Sequence, residues 1–241
     1  MKYVVISDIH GNLPALEAAV STFPEESEKN IICAGDIVGY GAEPGKCIEK
    51  VRALGARSVM GNHDAGVIGR TDISYFNNAA AEAVRWTRKQ LNGDGLSYLE
   101  KQPYVIEEKF FSVAHGTLHD PERFSYMMTG ADAMHTFEVL KTKICFVGHS
   151  HVPGTFILRE GKLTQTGKNA IVLEDNASYI VNVGSIGQPR DGDNRACYCI
   201  YDADKGQIDL RRIEYDISLA AERIAKAGLP QVLADRLFIG S

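Results

Sequence analysis

KYVVISDIHGNLPALEAAVSTF, residues 2–23, decides the fold class. Its opening carries Val4, Val5 and Ile6, a β-branched run that favours an extended, buried strand. The chain then turns through Ser7 to Asn12, and Asn12 stands where its side-chain oxygen can cap a helix built from LPALEAAV. The alternation recurs at once. NIICAG (30–35) is followed by PGKCIEKVRAL (44–54), whose helix starts at Pro44, and then by ARSVMG (56–61). Strand, helix, strand, helix, strand predicts a parallel sheet with crossover helices.

Further strands are predicted at YVIEEK (104–109), FFSVAH (110–115), KICFVGH (143–149), SYIVNVG (178–184) and ACYCIYD (196–202). The second half is the richer in strands, which predicts an α/β protein with mixed sheets, in one domain spanning residues 1–241. Residues 72–101 interrupt the alternation with an alanine-rich helical hairpin, and Ala79, Ala83, Trp86 and Leu91 are expected to pack it on a sheet. The tail, residues 216–241, reads as two helices split at Gly228-Leu229-Pro230. Packing on the sheet is the first expectation for it; folding back over a functional site, or mating with another subunit as a homo-oligomer, are the alternatives.

The composition excludes several classes. With 44% hydrophobic and 24% charged residues, the chain has the balance of a globular protein and not of a disordered one. No apolar run nears the roughly 20 residues of a membrane-spanning helix. MKYVVISD lacks the apolar stretch of a secretory signal, so a cytoplasmic location is expected. A net charge of −5 offers no basic footprint for tight nucleic-acid binding. The five cysteines form no CxxC pair and read as reduced core thiols, with Cys197 and Cys199 on one face of a strand.

Five polar clusters follow the short apolar runs: SDIHGN with Asp8 and His10, AGDIVGYG with Asp36, GNHD with Asn62, His63 and Asp64, AHGT with His115, and GHSH with His149 and His151. Any one alone has an ordinary explanation as a helix cap or a turn. Strand C-termini form the ligand crevice of an open α/β sheet, so together they can converge on one place. Carboxylates, imidazoles and an amide without thiolates suit Mn²⁺, Fe or Zn²⁺. Two neighbouring ions need a carboxylate between them, and Asp36, with no histidine beside it, is the natural bridge.

D-x-H, G-D, G-N-H-D, a mid-chain His and G-H-x-H, in that order, resemble the calcineurin-like metallophosphoesterase superfamily, and NVGSIGQPRDGD (182–193) extends the likeness. SIGQPRDGD and AGLPQVLADRL further resemble the small bacterial YfcE-like and diadenosine-tetraphosphatase-related phosphoesterases. The resemblance implies a four-layer α/β/β/α sandwich of two mixed sheets. It implies that Asp8, His10 and His151 hold one divalent ion, that Asn62, His115 and His149 hold a second, and that Asp36 bridges them. It makes His63 the general acid, with Asp64 orienting its ring. Mn²⁺ is the first expectation for both ions, with Fe, Zn²⁺ and Ni²⁺ as alternatives.

The implied reaction is hydrolysis of a phosphate ester by a metal-bridging hydroxide, which needs no Ser or Cys nucleophile. Diesters are favoured because no further Lys or Arg cluster is evident near the site. The alternatives are a phosphomonoesterase acting on phosphoproteins or nucleotides, a dinucleoside polyphosphate hydrolase, or a non-catalytic protein-binding scaffold on the same fold. Arg190 and Ser185 are candidates to reach the substrate phosphate, against a plain turn with an Arg–Asp surface pair. Val183 replaces a proline common in relatives. Tyr40 is expected to pack over the site, His119 to lie in a surface loop, and His135 has no assigned role.

Overall fold

The computed structural model describes residues 1–27 and 30–241. In the first sheet, β1 (Lys2–Ile6), β2 (Ile31–Cys33) and β3 (Arg57–Ser58) run parallel; β11 (Ala196–Asp202), β12 (Gln207–Ile213) and β9 (Ala170–Val172) extend it antiparallel, in the order β3-β2-β1-β11-β12-β9. The second sheet has the order β4-β5-β6-β10-β7-β8. Here β5 (Phe111–Ala114), β6 (Ile144–Val147) and β10 (Ala177–Asn182) are parallel, while β4 (Val105–Glu107), β7 (Gly154–Arg159) and β8 (Lys162–Thr166) pair antiparallel.

The period-2 alternation of β1 divides the core. Tyr3 and Val5 face Phe111, Phe146, Tyr179 and Val181 of the second sheet and fill the space between the two. Val4 and Ile6 face outward onto α1 (Leu13–Val20) and α2 (Pro44–Ala53). On the far side, Cys145, Val147 and Ile180 meet Ala133 and Phe137 of α6 (Gly130–Val139). The four layers are therefore helix, sheet, sheet, helix. Asn12 caps α1 by accepting from the Ala15 amide at 3.2 Å.

Four strands lie outside the sequence expectation: β7, β8, β9 and β12. The β7–β8 hairpin turns through Glu160 and Gly161, both at positive φ (50° and 76°), which matches the strand twist. Glutamate is a weak signal for such a turn, where Asn or Asp is usual.

The helical stretch resolves into a single 3₁₀ turn at Ile73–Tyr75, α4 (Asn78–Gln90) and α5 (Gly93–Glu100). α4 packs chiefly on other helices, with Val84 joining the core outside the first sheet. Ala80 and Ala83 face Ala220, Ala221, Ile224, Leu233 and Leu237 of α7 (Ile217–Lys226) and α8 (Gln231–Ile239). The tail helices thus pack α7 against α1 and share one apolar cluster with Tyr40 and the small alanine face of α4, instead of covering a sheet. No helix among the described residues is long and apolar enough to cross a membrane.

Candidate metal centre

All five polar clusters sit just past the C-terminal ends of parallel strands: Asp8 and His10 after β1, Asp36 after β2, His115 after β5, and His149 and His151 after β6. Asn62 and His63 open α3 (Asn62–Ile68) just after β3. The two sheets thus aim the clusters at one edge of the sandwich. Asp8, His10, Asp36, His149 and His151 all have positive φ, between 50° and 66°. L-residues enter that region at a cost, which the surrounding hydrogen bonds must offset.

The ring atoms converge. His151 Nε2 lies 3.2 Å from Asp8 Oδ1 and 3.1 Å from His10 Nε2. Asp36 Oδ2 lies 3.6 Å from His10 Nε2 and 3.3 Å from His115 Nε2, which is itself 3.1 Å from Asn62 Oδ1. Asp8, His10 and His151 form one potential ion-holding group, and Asp36, His115 and His149 another. His63 joins His10 and Asp36 in a third.

Three rings are tied at the far nitrogen. Nδ1 of His10, His115 and His151 meets the main-chain oxygens of Val38 (3.1 Å), Ala34 (2.8 Å) and Gln188 (2.5 Å). A carbonyl can only accept, so each Nδ1 carries the proton and Nε2 is left to face the centre. The carboxylates are tied likewise: Asp8 Oδ2 accepts from the His149 amide at 3.0 Å, and Asp36 Oδ1 from the His63 amide at 2.8 Å. Asp8 Oδ1, Asp36 Oδ2 and His149 Nε2 remain buried without a hydrogen-bond partner. Such atoms are expensive unless a cation compensates them, so the donor set fits divalent metal.

Charge follows the same pattern. Burial works to raise the Asp8 pKa, yet the imidazoles, His151 foremost, hold it below the ordinary carboxylate range. Asp36 is also held low against burial, by His115 and then His63. His115 rises to about 9 against burial because Asp36 attracts its proton. His149 falls to about 3, through burial and the neighbouring His115. The centre keeps both carboxylates ionised.

Residues 1–206 match the calcineurin-like phosphoesterase superfamily domain. The chain belongs to that superfamily. Among its relatives, a protein of Methanocaldococcus jannaschii named "Uncharacterized protein MJ0912" is 42% identical over 247 aligned positions, 98% of this chain and 97% of the relative. The crystal structure of a metallophosphoesterase from Sphaerobacter thermophilus is 37% identical, covers all of both chains and superposes with a TM-score of 0.87. Hypothetical protein PH1004 from Pyrococcus horikoshii OT3 shares the fold at 20% identity and a TM-score of 0.82, over 100% of this chain and 98% of that one. This phosphoesterase is a metal-dependent hydrolase of phosphoesters.

Some expected roles change. The His63 ring lies between Tyr40 (4.3 Å between centroids) and Phe76 (5.1 Å), and its buried Nδ1 has no partner. Burial lowers its pKa to about 4. Asp64 does not orient that ring. Its carboxylate accepts from the amides of Val38 and Gly61 (both 3.2 Å) and Ile37 (3.4 Å), pinning the Asp36 loop to the start of α3. Ser185 is fully buried and faces no substrate: its hydroxyl donates to the Asp8 main-chain oxygen and accepts from the Gln188 amide, each at 2.8 Å. Asn182 holds the GHSH loop by donating to Gly148 O (2.7 Å) and Ser150 Oγ (2.9 Å). His119 is exposed, beside Asp120 and outside the site.

Tyr40 packs over the centre as expected, 4.6 Å from the His10 ring. Beside it a cleft of about 430 Å³ opens onto Asn62, His63 and His149 and is walled by Phe76, Phe124 and Tyr126. The Tyr126 ring stacks on His149 at 3.9 Å and 19°. Gln188, Tyr126 and Arg236 are site neighbours that sequence reasoning missed. Only the loop position of Gln188, two residues before Arg190, hinted at one of them.

Proposed function

We propose that this phosphoesterase hydrolyses its substrate with two divalent ions held side by side, one by Asp8, His10 and His151, the other by Asn62, His115 and His149, with Asp36 shared. The observation that carries this is Asp36 Oδ2: buried, unpartnered and lying between His10 and His115. Bound ions would activate water and neutralise phosphoryl oxygens. The chain's own residues do the rest. Asp8 and Asp36 supply the anionic donors, and the main-chain oxygens of Val38, Ala34 and Gln188 fix the rings. His63, which lines the cleft, is the group that donates to the leaving oxygen. A phosphoryl anion beside it opposes the burial that keeps this ring neutral.

The preference for simple diesters assumed that no arginine cluster stands near the metals. Arg190 and Arg236 form one, both reaching Gln188 Oε1, so that preference is dropped. The test is hydrolysis of p-nitrophenyl phosphate and bis-p-nitrophenyl phosphate by chelator-treated protein reloaded with Mn²⁺, Fe²⁺, Zn²⁺ or Ni²⁺. Turnover should require metal, and His63→Ala should lose about 10²- to 10⁴-fold in kcat. Absence of turnover on both substrates, in folded protein shown to hold metal, would overturn the proposal.

A further inference from the structure

Two cations beside the metal centre have no counter-charge. Arg190, in the loop after β10, donates to Gln188 Oε1 through Nη2 (2.8 Å) and Nε (3.3 Å). Arg236, on α8, donates to the same oxygen through Nη1 at 3.4 Å. One neutral amide oxygen is shared by two half-buried guanidinium groups. Among the described residues neither makes an ion pair. The acidic side chains of the Arg190 loop and of the turn after Tyr40 are taken elsewhere: Asp191 by Arg212, Asp193 by Arg195, and Glu43 by Arg223 and Lys46. The Arg236 Nε–H is buried and has no acceptor at all.

The fold brings this pair to the site. Leu233, Ala234 and Leu237 of α8 join Tyr40 and α4 in one apolar cluster, and Arg236 on the same helix reaches the Gln188 oxygen that Arg190 also holds. Arg190 Nη2 donates to the Tyr40 hydroxyl at 3.3 Å, and its guanidinium carbon is 5.7 Å from the ring centre. The same Tyr40 ring touches His10 and His63. Gln188 joins the two regions as well, since its main-chain oxygen fixes the His151 ring. Holding two like charges together away from water is unfavourable, and a phosphate anion that accepts from both removes the penalty. Burial and the Arg190 charge both push the Arg236 pKa down, in keeping with that crowding.

We propose that Arg190 and Arg236 form a second anion subsite, which takes a further phosphate group of the substrate while the metals hold the phosphoryl group that is cleaved. The substrate class is then an ester or anhydride with at least two phosphoryl groups, such as a nucleoside or dinucleoside polyphosphate. This subsite deepens the two-metal assignment and rests on it.

The test compares p-nitrophenyl phosphate with p-nitrophenyl esters of di- and triphosphate, in the metal-loaded wild type and in Arg236→Gln, Arg236→Lys and Arg190→Gln. The wild type should favour the longer chains in kcat/KM. Arg236→Gln should cut that preference by about 10- to 100-fold, chiefly through KM, and Arg236→Lys should restore part of it. In chelator-treated protein, titration calorimetry with pyrophosphate should show binding that Arg190→Gln and Arg236→Gln each weaken, a readout independent of turnover.

Equal effects of Arg236→Gln on short and long esters would overturn the subsite, as would pyrophosphate binding unchanged in both variants. Pyrophosphate that binds the pair while longer esters gain nothing would overturn the substrate assignment in favour of a free anion. If metal-dependent turnover failed on every ester, the two-metal assignment would be at fault instead.

Discussion

The Ser185 hydroxyl donates to the main-chain oxygen of Asp8 at 2.8 Å across 177 positions of chain. This one contact ties the loop after β10 to the loop after β1. Ser185 also accepts from the Gln188 amide, so it steadies the acceptor of the His151 ring. Ser185→Ala should therefore cost about 1–3 kcal/mol in urea unfolding and weaken metal binding, leaving the ranking of ester substrates intact. Mn²⁺ titration alongside a substrate panel checks it. A variant that binds metal normally but ranks substrates differently would put Ser185 against the substrate.

The proposed sharing of Asp36 between two ions makes a prediction about stoichiometry. Asp36→Asn should lose both ions, whereas His149→Ala should lose mainly one, as measured by elemental analysis after dialysis. Loss of one electrostatic stabiliser is worth roughly 10²- to 10³-fold in kcat, and Asp36→Asn should exceed the His149→Ala loss. Equal losses of metal in the two variants would argue against a shared carboxylate.

Gly61, the first residue of GNHD, has φ −96°, an angle any residue adopts. Its side of the chain is nevertheless filled: a Cβ there would collide with Asp36 Oδ1 and the Asp36 amide. Gly61→Ala should cost about 1–3 kcal/mol in stability and displace the Asp36 carboxylate. Chemical denaturation with a metal titration tests this; a stable variant with full metal affinity would show that Asp36 tolerates movement.

Metal removal should be visible in stability. Asp8 Oδ1, Asp36 Oδ2 and His149 Nε2 lie buried without partners, so an ion that binds the folded state alone adds about 2.7 kcal/mol at a hundredfold excess over its Kd. In a chain of this size that raises Tm by about 5–10 °C over the chelated protein. Identical melting with and without metal would count against a buried centre.

The thiols should be inert. Burial pushes Cys145 and Cys197 up to about 12, and all five cysteines are buried. A raised pKa keeps the thiol protonated below it, so at pH 8 only about one in 10⁴ is thiolate. Reaction with a disulfide reagent should wait for unfolding; fast labelling of native protein would contradict this.

Much of the centre was legible because metal chemistry demands particular residue types and short strands announce where they stand. Asp8, His10, Asp36, Asn62, His115, His149 and His151 were all singled out from local patterns, and the structure brings their ligand atoms together. Asp64 and Ser185 were misread for one reason. A polar residue beside a motif looks like a participant, while the direction of its hydrogen bonds is decided by whichever loop packs against it. β7, β8, β9 and β12 escaped notice because polar edge strands and a Glu-Gly turn carry weak signals.

By itself the sequence determined the strand–helix alternation, the residues that converge on the candidate centre and the family to which the chain belongs. Those depend on residue type and on spacings of a few positions. Only the tertiary structure decided that the tail closes on Tyr40 and α4, that Asp64 holds backbone instead of a ring, and that Arg236 meets Arg190 across 46 positions. Such contacts depend on side-chain direction and on packing between distant segments, and no local pattern encodes either.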